Sequence, residues 1–135
     1  MDEIDEHLLK LLKSNARMSY VDMADSLDIS EGTIRSRIKK LTEEGVIKKF
    51  TIVTASKNIK SLIAVKIDIN VNTSDISKKI RNIDGVETVY EISGEDDIVV
   101  IVNVADSEEL NRIIESIRGI SHTQTTKTSM ILKEL

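Results

Sequence analysis

The sequence predicts an α+β protein built from two successive units, the first rich in helices and the second rich in strands. Apolar residues recur at helical spacing as far as Gly45. Beyond residue 61, alternating strand-like runs are interspersed with amphipathic helical runs. A short polar stretch separates the two patterns. We therefore expect one unit at 1–54, a linker at 55–61 and a second unit at 62–135.

Composition excludes several classes of protein. The chain has 135 residues, 31% of them charged, a net charge of −4 and no cysteine. Disulfide frameworks and thiolate metal sites are therefore excluded, and no metal site or cofactor is expected. Aromatic residues make up only 2% of the chain, too few for a platform that stacks single-stranded bases. The charged N-terminus lacks the apolar core of a signal peptide, so we expect a cytoplasmic protein.

The first predicted helix covers Met1–Arg17. It has an apolar stripe at i, i+4, i+7 and i+8, formed by Ile4, Leu8, Leu11 and Leu12. Acidic residues at its start and basic residues at its end suit the helix dipole.

Two further helices joined by a tight turn are predicted within Ser19–Leu41. Ser30 is a suitable N-cap for the second of them, because its hydroxyl can accept a backbone N–H of the first turn. That helix has an apolar stripe at i, i+4 and i+7, formed by Ile34, Ile38 and Leu41. This is the pattern of a helix–turn–helix, although a helical hairpin with a solvated basic face would give the same pattern.

The segment after Gly45 favours the DNA-binding interpretation. Val46–Thr54 is a short β-rich run with two lysines, and a helix–turn–helix followed by a basic hairpin is the order of a winged helix–turn–helix. From Ile34 to Lys49 six basic residues face two acidic ones, a local balance of +4 in a chain of −4. Such a patch binds the phosphate backbone of double-stranded DNA through counterion release.

The exposed side of the third helix carries most of the candidate DNA contacts. We expect Thr33, Ser36 and Lys40 to face bases, and Arg35, Arg37 and Lys39 to share base and phosphate contacts. The two wing lysines, Lys48 and Lys49, are expected to contact the DNA backbone. The full predicted DNA-binding set is Ser30, Glu31, Thr33, Arg35, Ser36, Arg37, Lys39, Lys40, Lys48 and Lys49.

The second unit is predicted to follow the order β-α-β-β-α-β, a ferredoxin-like arrangement. The expected strands are Leu62–Val71, Val86–Ile92, Ile98–Val104 and Thr126–Leu132, and the expected helices begin at Ser74 or Asp75 and at Ser107. The third strand, IVVIVNV, is apolar on nearly every residue. Both faces of the sheet are therefore expected to be buried, one of them against a second copy of the chain in a homodimer.

With these elements in place, the whole chain resembles the Lrp/AsnC family of prokaryotic transcription regulators, in particular its archaeal members. The matching stretches are IDEHLLKLLKSNAR, LDISEGTIRSRIKKLTEEGVIKKF, DGVETVYEISGEDDIVVIV and TKTSMILK. The resemblance implies an N-terminal winged helix–turn–helix and a C-terminal ligand-sensing βαββαβ domain. It also implies dimers that assemble further, commonly to octamers, and an amino-acid effector bound between neighbouring dimers.

The resemblance further implies an effector-binding set. The family's Gly-x-x-Asp loop corresponds to 94–97, and its Thr-x-Thr corresponds to two threonines of the last strand. The implied residues are Gly94, Glu95, Asp96, Asp97, Thr126 and Thr128. Asp97 would pair with the ammonium of an amino acid, and three successive acids would favour a basic one. A solvated turn is the alternative for this loop, and a divalent-cation site is a weaker one.

The sequence thus leaves two functions open. One is a sequence-specific transcription regulator modulated by a small amino-acid effector. The alternative is an effector-independent DNA-organising protein whose second unit only drives assembly. An enzyme is not expected, because the two histidines lie far apart in the sequence and no nucleophile motif or phosphate-binding glycine loop is present.

Overall fold

The computed structural model describes residues 1–55 and 58–135 and divides the chain into two compact units, Met1–Thr54 and Ala55–Leu135. The first unit contains α1 (Glu3–Ser14), α2 (Tyr20–Leu27) and α3 (Glu31–Glu43). The second contains β1 (Ile59–Ile67), α4 (Thr73–Arg81), β2 (Val86–Glu91), β3 (Ile98–Val104), α5 (Ser107–Arg118) and β4 (Thr123–Met130). In the described residues no helix is both long and apolar enough to cross a bilayer.

The three helices of the first unit enclose a small apolar core. Its buried residues are Leu8, Leu12, Met23, Ala24, Ile34, Ile38 and Leu41. Leu11, Leu27 and Ile47 are only partly buried at its edge. Met23 was not predicted and is 1% exposed. It lies next to Ala24 on α2, and these two residues form the buried face of this short helix.

Helix boundaries follow the capping chemistry. α1 is shorter than the predicted Met1–Arg17, because Asp2 and Asp5 form a capping box at its start and Asn15 adopts an extended conformation at its end. Ser30 caps α3 as predicted. Gly45, with φ +73°, lies just beyond the C-cap, in the left-handed region that favours glycine.

The expected hairpin at Val46–Thr54 is not formed. This segment contains no strand, and three of its apolar side chains, Phe50, Ile52 and Val53, are more than half exposed. A strand needs a ladder partner, and none of the residues in this unit supplies one.

The second unit is a four-stranded antiparallel sheet with the order β2-β3-β1-β4. The βαββαβ prediction is therefore confirmed. β1 and β4 each begin three residues earlier than expected, so Ile59–Ser61 belongs to β1 and not to the linker. The rest of the expected linker includes residues 56–57, which lie outside the described residues. α4 is capped by Asn72 instead of Ser74 or Asp75, because the Asn72 side chain accepts the Ser74 N–H (3.0 Å).

α4 and α5 cover one face of this sheet. Alternate residues of β1 and β3 are buried against them, including Ile63, Val65, Val100 and Val102. The other face, which we call the open face, carries side chains that remain half-buried in a single chain. They are Leu62, Ala64, Val99 and Ile101. The expected burial of both faces of β3 is therefore not reached within one chain.

Candidate nucleic-acid interface and effector loop

α3 presents a small polar surface on the side away from the core. Thr33 is half-buried and Ser36 and Lys40 are exposed. Nothing lies within 4 Å of the place where Gly32 would carry a Cβ. A cavity of about 630 Å³ lies against this surface and is bounded on its other side by Asp2 and Asp5 of α1. A helix surface of small side chains that carries hydroxyl and ammonium groups can approach and bind base edges in the major groove.

Hydrogen bonds fix the start of this surface. The Ser30 hydroxyl accepts the Thr33 N–H (3.1 Å) and lies 2.7 Å from the Thr33 hydroxyl. The two predicted contact residues therefore orient each other. A hydroxyl can donate and accept at the same time, so the Thr33 Oγ1 keeps capacity for a ligand.

Three of the predicted basic contacts form loose ion pairs along the helix. Arg35 lies 3.8 Å from Glu31, Lys39 lies 3.9 Å from Glu43, and Lys40 lies 3.9 Å from Glu44. Arg35 also lies over the Tyr20 ring of α2, 5.4 Å from its centroid. All three basic side chains are at least 65% exposed. Exposed pairs of this kind contribute little to stability, so these cations can exchange partners with phosphates.

Arg37 is placed differently. Its Nη1 donates to both carboxylate oxygens of Asp2 (2.8 Å each) and to Oδ1 of Asp5 (2.9 Å), and its side chain is only 26% exposed. Asp5 itself is 8% exposed. The Nη1 that would bind a phosphate is therefore already occupied inside the first unit, which the sequence pattern alone did not indicate.

The Arg37 guanidinium and, secondarily, the backbone N–H of Asp5 lower the pKa of the Asp2 carboxyl to about 2. A carboxyl with a depressed pKa stabilises the folded state above its unfolded pKa of about 3.9, and this contribution is lost as the pH falls through the folded value. The Asp2 contribution should therefore disappear between about pH 4 and pH 2.

We expect Asp2→Asn to melt at a lower temperature than the wild type at pH 7, and the difference to shrink as the pH is lowered from about 4 to 2. Thermal unfolding followed by circular dichroism measures both quantities. Glu3→Gln is the matched control, because Glu3 lies in the same helical turn and Arg37 donates to Asp2 and Asp5 instead. A melting difference that stays constant from pH 5 to pH 2 would contradict the assignment.

The two wing lysines, Lys48 and Lys49, are exposed. They border a cavity of about 600 Å³ that is mainly apolar and also touches Leu9, Lys13 and Phe50. Because both side chains are exposed, their ammonium groups can approach a phosphate backbone.

The predicted effector loop, 94–97, connects β2 to β3. Gly94 has φ +135°, a conformation that side chains rarely adopt. Asp97 is part of the sheet framework: its N–H donates to the Val65 carbonyl (2.9 Å), and its Oδ2 accepts the Ile67 N–H (2.9 Å) at the point where the β1–β4 register shifts. One carboxylate oxygen of Asp97 is therefore already occupied.

Two lysines on the open face approach this loop and were not predicted. Lys66 Nζ donates to the Glu95 carbonyl (3.0 Å), and Lys127 Nζ lies 3.9 Å from Asp96 Oδ1. That separation is an ion pair but too long for a hydrogen bond. Asp96 Oδ1 is buried and accepts no hydrogen bond from the described residues. Asp96 therefore has a buried carboxylate oxygen, Oδ1, that could accept a hydrogen bond from a ligand.

The two predicted threonines do not meet the loop within one chain. Thr126 and Thr128 point to the helix-covered side of the edge strand β4, and Thr126 Oγ1 accepts from Arg118 Nε (3.1 Å). Lys127, between them, points to the open face and reaches Asp96. No cluster of three or more His, Asp or Glu side chains suited to a metal ion occurs in the described part of the chain.

Comparisons with known proteins agree with this architecture. A family model for winged helix-turn-helix DNA-binding matches residues 1–48, and a model for the Lrp/AsnC ligand binding domain matches residues 60–135. The HTH-type transcriptional regulator LysM of Saccharolobus solfataricus is 42% identical over 98% of this chain and 94% of its own length. A homocitrate synthase of Sulfolobus acidocaldarius is 40% identical, but the match spans only 25% of that enzyme.

Among solved structures, a transcriptional regulator of Neisseria meningitidis in complex with L-Met superimposes with a TM-score of 0.85. The alignment covers 100% of this chain and 92% of that one, at 19% identity. At this identity the likeness concerns the fold.

Proposed function

The chain belongs to the Lrp/AsnC family of DNA-binding transcriptional regulators, which are not enzymes. From that premise we propose that it recognises specific duplex sequences through α3. We further propose that its DNA binding changes when an amino acid occupies the second unit. The observation that carries the first part is the exposed polar surface of α3, which is flanked by cations whose ion pairs are loose. Thr33, Ser36 and Lys40 face the bases, and Arg35 and Lys39 share base and phosphate contacts.

We infer a homodimer in which two copies of the open face pack together. Leu62, Ala64, Val99 and Ile101 form a continuous apolar patch across β1 and β3, paired in register as Leu62↔Ile101 and Ala64↔Val99. A self-complementary patch of this kind is typical of a two-fold interface. Two α3 helices would then read half-sites of an inverted repeat spaced by about 34–36 Å or a multiple of that distance.

The DNA proposal is tested by selecting duplexes from a random library with the full chain. We expect an inverted repeat to be enriched. Equal recovery of all sequences, at an affinity that depends only on salt, would instead favour the DNA-organising alternative, in which the second unit only assembles the protein.

We propose that the loop 94–97 binds the ammonium group of the effector. A buried acceptor without a hydrogen bond is costly, and Asp96 Oδ1 is such an acceptor. An ammonium group of a ligand could donate to it and displace Lys127, 3.9 Å away. The L-Met complex of the meningococcal relative supports an amino acid as the ligand class.

Three acids and two lysines meet at this loop, and the remaining negative charge favours an amino acid with a second cation. Because Thr126 and Thr128 lie on the other side of β4, their participation requires a neighbouring copy. We therefore propose that the complete site forms between dimers in a higher oligomer, such as an octamer.

Isothermal titration calorimetry against the twenty amino acids tests the effector proposal. We expect a single saturable class of ligand in the panel, with lysine or arginine the strongest, and we expect Asp96→Asn to abolish its binding. Ser93→Asn is the control, since it changes the same turn outside the acidic set. Binding of acidic or aliphatic amino acids alone would contradict the preference for a basic ligand. No binding by any of the twenty would contradict an amino-acid effector.

Substituting a wing lysine should have a different effect from substituting a residue that faces bases. We expect Lys49→Ala to weaken binding to all duplexes alike and to reduce the slope of log affinity against log salt by about one. Fluorescence anisotropy with a selected and a scrambled duplex measures both. A change in the preferred sequence would show that Lys49 reads bases instead.

A further inference from the structure

The Asp2–Arg37–Asp5 cluster suggests a role in DNA recognition for the start of α1. It joins residues more than thirty positions apart in the sequence through three hydrogen bonds of 2.8–2.9 Å, all donated by Arg37 Nη1. Both carboxylates also belong to the capping box of α1, in which each accepts the backbone N–H of the other residue. The position of α3 is thus tied to the first turn of α1 by groups that cannot move independently.

The cluster lies at the middle of the proposed reading surface. Arg37 follows Ser36 directly, lies one turn after Thr33 and three residues before Lys40, and lines the same 630 Å³ cavity as these three residues. A small rotation of α3 about its axis would displace all of their side chains relative to a base pair. Displacements on the order of 1 Å are enough to lose a directional contact.

We infer that Asp2 and Asp5 are positioning residues for sequence recognition: they hold Arg37, and through it α3, in the orientation that reads bases. The inference rests on the proposed function and adds to it that specificity depends on residues outside the helix–turn–helix. It also removes Arg37 Nη1 from the predicted phosphate contacts, because a donor already held by two carboxylates gains little from a phosphate.

Positioning, direct contact and simple stabilisation predict different measurements. A positioning residue changes the ratio of specific to non-specific affinity, and it relaxes preference at several base pairs together. A direct base contact relaxes one base pair, and a direct phosphate contact changes the salt slope by about one without changing the ratio. A contact that only stabilises the fold changes the melting temperature and leaves the ratio of the folded protein unchanged.

The test uses the full chain, a duplex selected by the wild type and a scrambled duplex of equal length. We expect Asp2→Asn and Arg37→Gln each to lower the affinity ratio about tenfold, to relax preference at several positions and to leave the salt slope unchanged. The double variant should be no worse than Arg37→Gln alone, because both substitutions break one cluster. Lys48→Gln, at an exposed lysine expected to contact only the DNA backbone, is the control and should lower the salt slope by about one with the ratio preserved.

Three outcomes would overturn the inference: an unchanged ratio, a salt slope lowered by about one in Arg37→Gln, or relaxation at a single base pair. If Arg37→Gln does not fold, Asp2→Asn decides, because an asparagine can still cap α1 while the charged pair with Arg37 is lost. Failure of the wild type to select any duplex would instead refute the proposed function, and the positioning role with it. The two failures are therefore distinguishable.

Discussion

Ser36→Asp is expected to lower the affinity for a selected duplex by at least about 100-fold, because like charges placed face to face across an interface cost several kcal/mol. Ser36 is exposed on the polar side of α3, opposite the buried Ile34 and Ile38. In the proposed complex the substitution would therefore place a carboxylate against DNA without disturbing the core.

Anisotropy titrations of a labelled duplex measure this loss. Ser116→Asp is the matched control, since it makes the same change at an exposed helical serine of the second unit. Circular dichroism should show the same helix content in both variants. Wild-type affinity in Ser36→Asp would mean that the exposed side of α3 does not face DNA.

Ile101→Glu is expected to convert the proposed dimer into monomers. Ile101 lies on the open face, half-buried in a single chain and paired in register with Leu62. A glutamate there remains solvated in the monomer, whereas in the dimer an unpaired carboxylate would be buried at a cost of several kcal/mol. DNA affinity should fall with it, by roughly 10²–10⁴-fold, because the two half-sites are no longer bound by one molecule.

Sedimentation velocity gives the mass of the variant directly. Lys79→Gln, which makes the same change in net charge at an exposed position of α4, should remain dimeric. If Ile101→Glu stayed dimeric, another surface would hold the copies together, and the exposed apolar residues of Val46–Thr54 would be the next to substitute.

Local chemistry explains which parts of the fold could be predicted. The start of α3 and the bounds of β3 follow from signals within a few residues, such as the Ser30 cap. The starts of β1 and β4 could not be read in this way, because each depends on pairing with a distant strand: Ile59 of β1 pairs with Val104 of β3, and Thr123 of β4 pairs with Ile67 of β1. The predicted hairpin at Val46–Thr54 was wrong for the same reason, because a β-rich sequence forms no strand without a partner strand.

The candidate sites likewise divide into features set by local sequence and features set by contacts between distant residues. The exposed side of α3 was predictable from helical periodicity, since its buried residues define the opposite side. The engagement of Arg37 by Asp2 was not, because nothing in the spacing of two distant residues shows that they meet. Lys66 and Lys127 escaped prediction because they reach the acidic loop from two other strands, across the open face of the sheet.

We propose above that an amino acid bound by the second unit changes how the first unit binds DNA. The most direct test is an anisotropy titration of the selected duplex with the full chain, repeated with each of the twenty amino acids at saturating concentration. We expect the amino acid detected by calorimetry to shift the midpoint by about 5–150-fold, the range for a typical coupling of 1–3 kcal/mol. Identical midpoints with and without a ligand that binds would contradict the claim and leave a DNA-organising protein.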